Sequence, residues 1–158
     1  MRLTVYTDFS LRVLMFLALR GDGLATIAEI AKAYGISKNH LMKVAHQLGL
    51  AGYLETVRGK GGGLRLARRP QDIVLGEVVR RTEPDMALVS CLAPDDASCA
   101  IYPSCVLRGV LSDAGDAFLS VLDKHTLADL VRPRAPLHKL LSFKPNGRTA
   151  ALRPARRA

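Results

Sequence analysis

The sequence predicts a mainly α-helical protein with a small β wing: a winged helix-turn-helix domain followed by a long dimerisation helix. Three observations carry that prediction. Two short helical patterns, TIAEIAKAYG and SKNHLMKVAHQLGLAG, meet at a glycine, which is the layout of a helix-turn-helix. The stretch YLETVRGKGGGLRLARRP then alternates apolar and polar residues on either side of a glycine-rich tip, as a two-stranded hairpin does. Beyond Cys105 a proline-free segment repeats apolar residues at helical spacing.

Taken in order, residues 8–20, DFSLRVLMFLALR, set apolar side chains at 9, 11, 13–17 and 19 and stop before GDG at 21–23. The spacing predicts a mostly buried helix. Asp8, preceded by Thr7, reads as its cap, with favourable charge at the helix N-terminus. In the next helix Thr26 and Glu29 form a capping box, Ile27, Ile30, Ala31 and Tyr34 share a face, and Gly35 supplies the stop. Ser37 caps the third helix, which buries Leu41, Val44, Ala45 and Leu48. Its opposite side shows Lys38, Asn39, Lys43, His46 and Gln47, donors and acceptors of the kind that read base edges in a major groove.

Helix pairs joined at a glycine also occur in plain α-bundles; the hairpin that follows favours DNA. Ser37, Lys38, Asn39, His40 and Lys43 are the candidate major-groove residues. Arg58, Lys60 and Arg65 on the wing would meet phosphate or the narrow minor groove, where glycines let the backbone approach closely. The GKGGG string lacks the spacing of a nucleotide-binding loop and lies in a hairpin, not before a helix.

Residues 72–83 predict a short helix returning to the core. From Cys105, VLRGVLSDAGDAFLSVLDKHTLADLV predicts one long helix, with Leu107, Leu111, Ala114, Phe118 and Val121 as a 4-3-4-3 seam. The expected division is 1–83 for the winged helix-turn-helix domain, 84–105 for a cysteine loop, 106–141 for the dimerisation helix and C-terminal segment, and 142–158 for a basic flexible tail. A homodimer built on that seam would present two recognition helices about one DNA turn apart.

The 158 residues carry a net charge of +9, unevenly. Residues 1–80 hold +6, residues 81–131 hold −5 and residues 132–158 hold +8, a pattern that predicts polyanion contact by selected parts. No apolar run approaches the roughly 18–20 residues of a membrane span. Asp8 and Arg12 stand just before the VLMFLAL string, and no small-residue cleavage site follows it. The chain reads as cytoplasmic, with no membrane partner.

All three cysteines, Cys91, Cys99 and Cys105, lie in SCLAPDDASCAIYPSC. A reducing cytoplasm and an odd count argue against a stable disulfide. The C-x7-C-x5-C spacing lacks the paired knuckles of a zinc ribbon, and the loop has no histidine. Three soft thiolates suit a metal centre that needs a fourth ligand; redox-active thiols and inert cysteines remain the other readings.

These strings together resemble the winged-helix iron–sulfur transcription regulators of the NsrR, IscR and RirA type. The resemblance runs from Met1 to about Leu141 and is carried by MRLTVYTDFSLRVLMFLA, by IAEIAKAYGISKNHLMKVAHQLGLAGYLETVRGKGGGLRLA, by the three cysteines and by FLSVLDKHTLADLV. The TDFSLR start and the ISKNHLMKV helix are most similar to the nitric-oxide-sensing branch. The resemblance implies a homodimeric repressor on double-stranded operator DNA, carrying a [4Fe–4S] cluster on Cys91, Cys99 and Cys105. It implies Asp8 from the partner subunit as fourth ligand; Asp95 and Asp96, by their own position inside the loop, are rival oxygen ligands. Nitric oxide is then the signal, and cluster nitrosylation releases the operator.

The x7 gap is similar to that of iron-responsive relatives, so an iron- or cluster-status regulator is the alternative. An enzyme is not expected, because His40, His46, His125 and His138 are not placed by sequence next to a thiol. A metal-free regulator whose thiols meet oxidants directly is a further alternative.

Overall fold

The computed structural model of the protein describes residues 2–93, 96 and 98–141. The predicted tail at 142–158 and the rival ligand Asp95 lie outside the described residues. Helix α1 spans Val5–Arg20, starting three residues before the sequence pattern predicts. Its cap is Thr4, whose hydroxyl accepts from the Thr7 backbone N–H at 3.2 Å. Glu83 holds the same residue, accepting from the Thr4 N–H at 2.8 Å. Asp8 is therefore not the cap: it sits one turn inside the helix and accepts from Arg12 Nε at 2.9 Å. Helix α1 is the centre of the molecule, burying Val13, Leu14, Phe16, Leu17 and Leu19. Each such side chain contributes roughly 1.5–3 kcal/mol.

Helix α2, Ile27–Tyr34, opens with the expected box: Glu29 N–H donates to the Thr26 hydroxyl while the Glu29 carboxylate accepts from Thr26 N–H. Gly35 ends it at φ +66°, the left-handed conformation that a residue without a side chain takes freely. Helix α3, Lys38–Leu50, follows at once. Ser37 caps it, and the predicted stripe of Leu41, Val44, Ala45 and Leu48 is buried. The turn of Gly35, Ile36 and Ser37 thus fixes α3 across α1 and α2.

Strands β1 (Leu54–Val57) and β2 (Gly63–Leu66) pair antiparallel, Leu54 opposite Leu66 and Val57 opposite Gly63. Leu54 and Leu64 turn into the core while Glu55 and Arg65 face out. An unforeseen bridge fastens this wing. Ala25 and Leu64 exchange both backbone hydrogen bonds, at 3.0 and 2.7 Å, so the wing is tied to the segment before α2. Close packing fixes two of its glycines. A Cβ at Gly63 would lie 2.8 Å from the Ala25 carbonyl oxygen, and one at Gly62 would collide with the Val57 carbonyl oxygen. Gly62→Ala is expected to leave helix content unchanged by circular dichroism yet lower DNA affinity, because backbone must move at the wing tip.

Helix α4, Leu75–Thr82, returns to the core as predicted and begins later than residue 72, after a single 3₁₀ turn at Pro70–Asp72. Its Thr82 accepts a buried hydrogen bond of 2.8 Å from Thr7. Helix α5 spans Val106–Asp123 and stops there. The predicted continuation through 131 is instead a break at Lys124–Thr126 and a one-turn helix α6, Leu127–Leu130. Thr126 and Asp129 form a second capping box, and Val74 bridges Thr126. A new helix started by its own box cannot continue the old axis. Leu127 and Val131 are buried in the same core as α1, and α7, Arg134–Leu140, packs on α1 as well.

The apolar residues of α5 fall into two stripes. No residue of α5 is buried. Leu111 and Phe118 are half-buried and, with Gly115 and Leu119, line clefts against residues 84–88 and Leu92. The stripe left outside is Leu107, Val110, Ala114, Ala117 and Val121, with Leu107 62%, Val110 56% and Val121 54% exposed. At its C-terminal end α5 is clasped to α4. Arg80 donates to both carboxylate oxygens of Asp123, at 2.7 and 2.6 Å. Gly76 leaves room for that carboxylate, with which a Cβ there would collide.

Candidate DNA interface and cysteine loop

Helix α3 sorts its side chains by chemistry. One stripe is buried; Ser37, Lys38, Asn39, His40, Met42, Lys43, His46 and Gln47 are all exposed. The helix KNHLMKVAHQLGL contains no acidic residue, so its outer face offers hydrogen-bond donors and positive charge without a competing carboxylate. His40 N–H donates to the Ser37 hydroxyl at 3.3 Å, and the His40 ring lies 6.1 Å from that of Phe9 on α1. The first turn of α3 is thereby held from two sides.

The wing tip carries Arg58 and Lys60, both exposed, between backbone turns at Gly59 (φ +100°) and Gly61 (φ +82°). Among the described residues no carboxylate forms a salt bridge with Lys38, Lys43, Arg58 or Lys60. The other basic wing residues are engaged. Arg65 donates through Nε and Nη2 to Glu55 at 3.0 and 2.8 Å, and Arg68 lies over the Tyr53 ring at 5.0 Å. Arg69 is paired with Asp72. Arg65, expected on phosphate, would have to share its charge with Glu55. Lys60→Ala is expected to weaken binding to all duplex sequences alike. It should lower the slope of log K against log salt by about 0.9, the share of one neutralised phosphate, read from titrations at several salt concentrations.

The cysteine loop is built differently, from single turns. Cys91 lies in the 3₁₀ turn Ser90–Leu92 and is half-buried; Cys99 is exposed; half-buried Cys105 stands at the N-cap of α5. None forms a disulfide. Arg108, one turn into α5, joins the two ends of the loop: its Nε donates to the Cys91 carbonyl oxygen at 3.4 Å, and its guanidinium lies 4.7 Å over the Tyr102 ring. Sequence reasoning missed Arg108, since nothing local marks an arginine that bridges irregular backbone. Asp96 accepts from both the N–H and the hydroxyl of Ser98, at 3.1 and 2.6 Å, and these bonds hold its carboxyl below the usual carboxylate range. Asp8 is far from this arrangement in sequence and is paired with Arg12.

The donor set fits an iron–sulfur centre in chemistry: three unpaired thiols on one short loop. Among the described residues, no three His, Cys, Asp or Glu side chains gather to hold a metal ion. Nor, among the same residues, is any helix long and apolar enough to cross a membrane.

A helix-turn-helix whose second helix presents an unopposed polar face, flanked by a fastened basic wing, defines a winged-helix transcription regulator that binds DNA, a non-enzymatic role. Residues 3–133 match the Rrf2 family model, described as an iron-dependent transcriptional regulator. The chain belongs to the Rrf2 family. It is 54% identical over 145 residues to the HTH-type transcriptional regulator NsrR of Bacillus subtilis, covering 91% of this chain and 99% of that protein. To NsrR of Geobacillus kaustophilus it is 51% identical over 142 residues, covering 89% and 97%.

Among solved structures it superimposes on CymR, the global cysteine regulator of B. subtilis, with a TM-score of 0.68 at 27% identity, covering 82% of this chain and 95% of that one. The corresponding values for T. potens IscR are 0.66, 28%, 84% and 88%.

Proposed function

We propose that the protein is a homodimeric repressor that senses nitric oxide through a [4Fe–4S] cluster and leaves its operator when the cluster is attacked. The observation that carries this reading is the half-identity to regulators named NsrR along nearly their whole length. The three free thiols at the foot of an exposed apolar helix support it. Cys91, Cys99 and Cys105 would hold three irons, with Asp8 of the partner subunit as the fourth ligand. Such a cluster, when bound, supplies a thiolate- and carboxylate-held iron site open to a small gas. The chain supplies everything else. Arg108 holds the loop ends at the start of α5, the outer stripe of α5 joins two copies, and Ser37, Lys38, Asn39, His40 and Lys43 face the major groove. Arg58, Lys60 and Arg65 serve phosphate and minor groove.

Asp8 lies next to Phe9, which reaches His40 in the first turn of α3. A ligand drawn from the partner's α1 would therefore link the cysteine loop of one subunit to the recognition helix of the other. The test is iron and acid-labile sulfide per chain on anaerobically purified protein, with operator binding before and after a nitric oxide donor. About four of each per chain and loss of binding on exposure are expected. About one zinc without sulfide would sink the gas-sensing reading and leave the loop a structural knot. The family description as iron-dependent favours a second reading, an iron- or cluster-status regulator. Operator occupancy that follows an iron chelator and ignores the donor would select it.

A further inference from the structure

We infer that Met42 is a base-reading residue that packs against thymine C5-methyl groups in the major groove. The inference rests on α3 being the reading helix. Helix α3 buries Leu41, Val44, Ala45 and Leu48 and has no further need of apolar surface for the core. Met42 is nevertheless 53% exposed on the other side. It lies four residues after Lys38, three after Asn39 and four before His46, so on a helix it is the apolar centre of a ring of donors. A single exposed methionine elsewhere would mean little; here it stands within the face that the fold presents to DNA.

Of the four bases, only thymine carries an apolar group on its major-groove edge. An unbranched, polarizable thioether can follow such a methyl closely. One turn earlier, Asn39 has the donor–acceptor pair that matches adenine N6 and N7. The two side chains together specify an A·T-containing half-site, with Asn39 on the adenine edge and Met42 on a neighbouring methyl.

The experiment uses the full-length protein, purified anaerobically, with a duplex selected by it from a random pool. Each thymine is then replaced in turn by deoxyuridine, which removes only the methyl. For the unsubstituted protein, one or two positions in each half-site should lose about fourfold in affinity, the worth of one buried methyl group. The Met42→Ala protein should bind the parent duplex more weakly by a similar factor and be indifferent to deoxyuridine at those positions. Being exposed, the site tolerates alanine without loss of fold, and Asn39→Ala serves as the reference, expected to change the selected sequence. The same deoxyuridine profile for both proteins, or a selected half-site without thymine, would overturn the role of Met42. If Asn39→Ala and Lys43→Ala also leave the selected sequence unchanged, α3 is not the reading helix and the proposed docking falls with it.

Discussion

If the proposed homodimer pairs through α5, aspartates placed at Val110 and Val121 together are expected to leave a monomer and to reduce affinity for a two-fold symmetric duplex by about 10²–10⁴-fold. The cause lies in α5. Its outer stripe of Leu107, Val110, Ala114, Ala117 and Val121 repeats at three- and four-residue intervals and faces solvent in the protomer. That is the seam geometry by which helices pair. Two charges brought into such a seam have no partner and must be desolvated. Once the copies separate, each reading helix binds alone, without the advantage of being tethered to a second one. Size-exclusion chromatography with light scattering reads the first effect, and titration with one-arm and two-arm duplexes reads the second. Ser112→Asp, exposed on another side of α5, is the control and should change neither. A double variant that remains dimeric would show that the copies join elsewhere.

Leu127→Ala is expected to cost about 2–5 kcal/mol of stability. Leu127 has no exposed surface although it lies beyond α5, in a helix of four residues. Its N–H donates to the Ile73 carbonyl oxygen at 2.8 Å, next to the Val74–Thr126 bridge. The capping box of Thr126 and Asp129 fixes where α6 begins, and the side chain then drops into the cluster around α1. Truncation leaves a cavity that backbone pairing on both sides prevents from collapsing. Urea unfolding at one protein concentration should show a lower midpoint with an unchanged slope. A loss below about 0.5 kcal/mol would mean that this turn is not part of the cooperative core.

The parts of the fold legible in the sequence are those written in short range. Thr26 with Glu29, Gly35 at a left-handed turn, Ser37 as cap and the alternation through Leu54, Leu64 and Leu66 each depend on residues a few positions apart. The end of α5 is not legible in the same way. No proline or glycine marks Lys124–Thr126, and the box at Thr126 and Asp129 reads as mid-helix sequence until the bridge to Val74 is seen. The seam is half legible. Stripes through Leu111 and Phe118 and through Val110 and Ala117 are both apolar at helical spacing, and only packing against residues 84–92 tells inside from outside. Thr4 is hidden as the cap because its second partner, Glu83, comes from the far end of the domain. At the cysteine loop, residue type marks the thiols, but the fourth ligand proposed from a second copy would leave no mark in the spacing of one chain.

The clasp between Gly76, Arg80 and Asp123 has a consequence for operators. It sets the direction in which α5 leaves the core, and in the proposed dimer that direction fixes the distance and rotation between the two reading helices. One base pair inserted between operator arms moves them apart by about 3.4 Å and turns them by about 34°, a change that this joint would have to follow for both arms to be read. A lineage that comes to regulate from sites of altered spacing would be expected to change at these three positions, which lie on α4 and α5, while the letters that α3 is proposed to read stay the same.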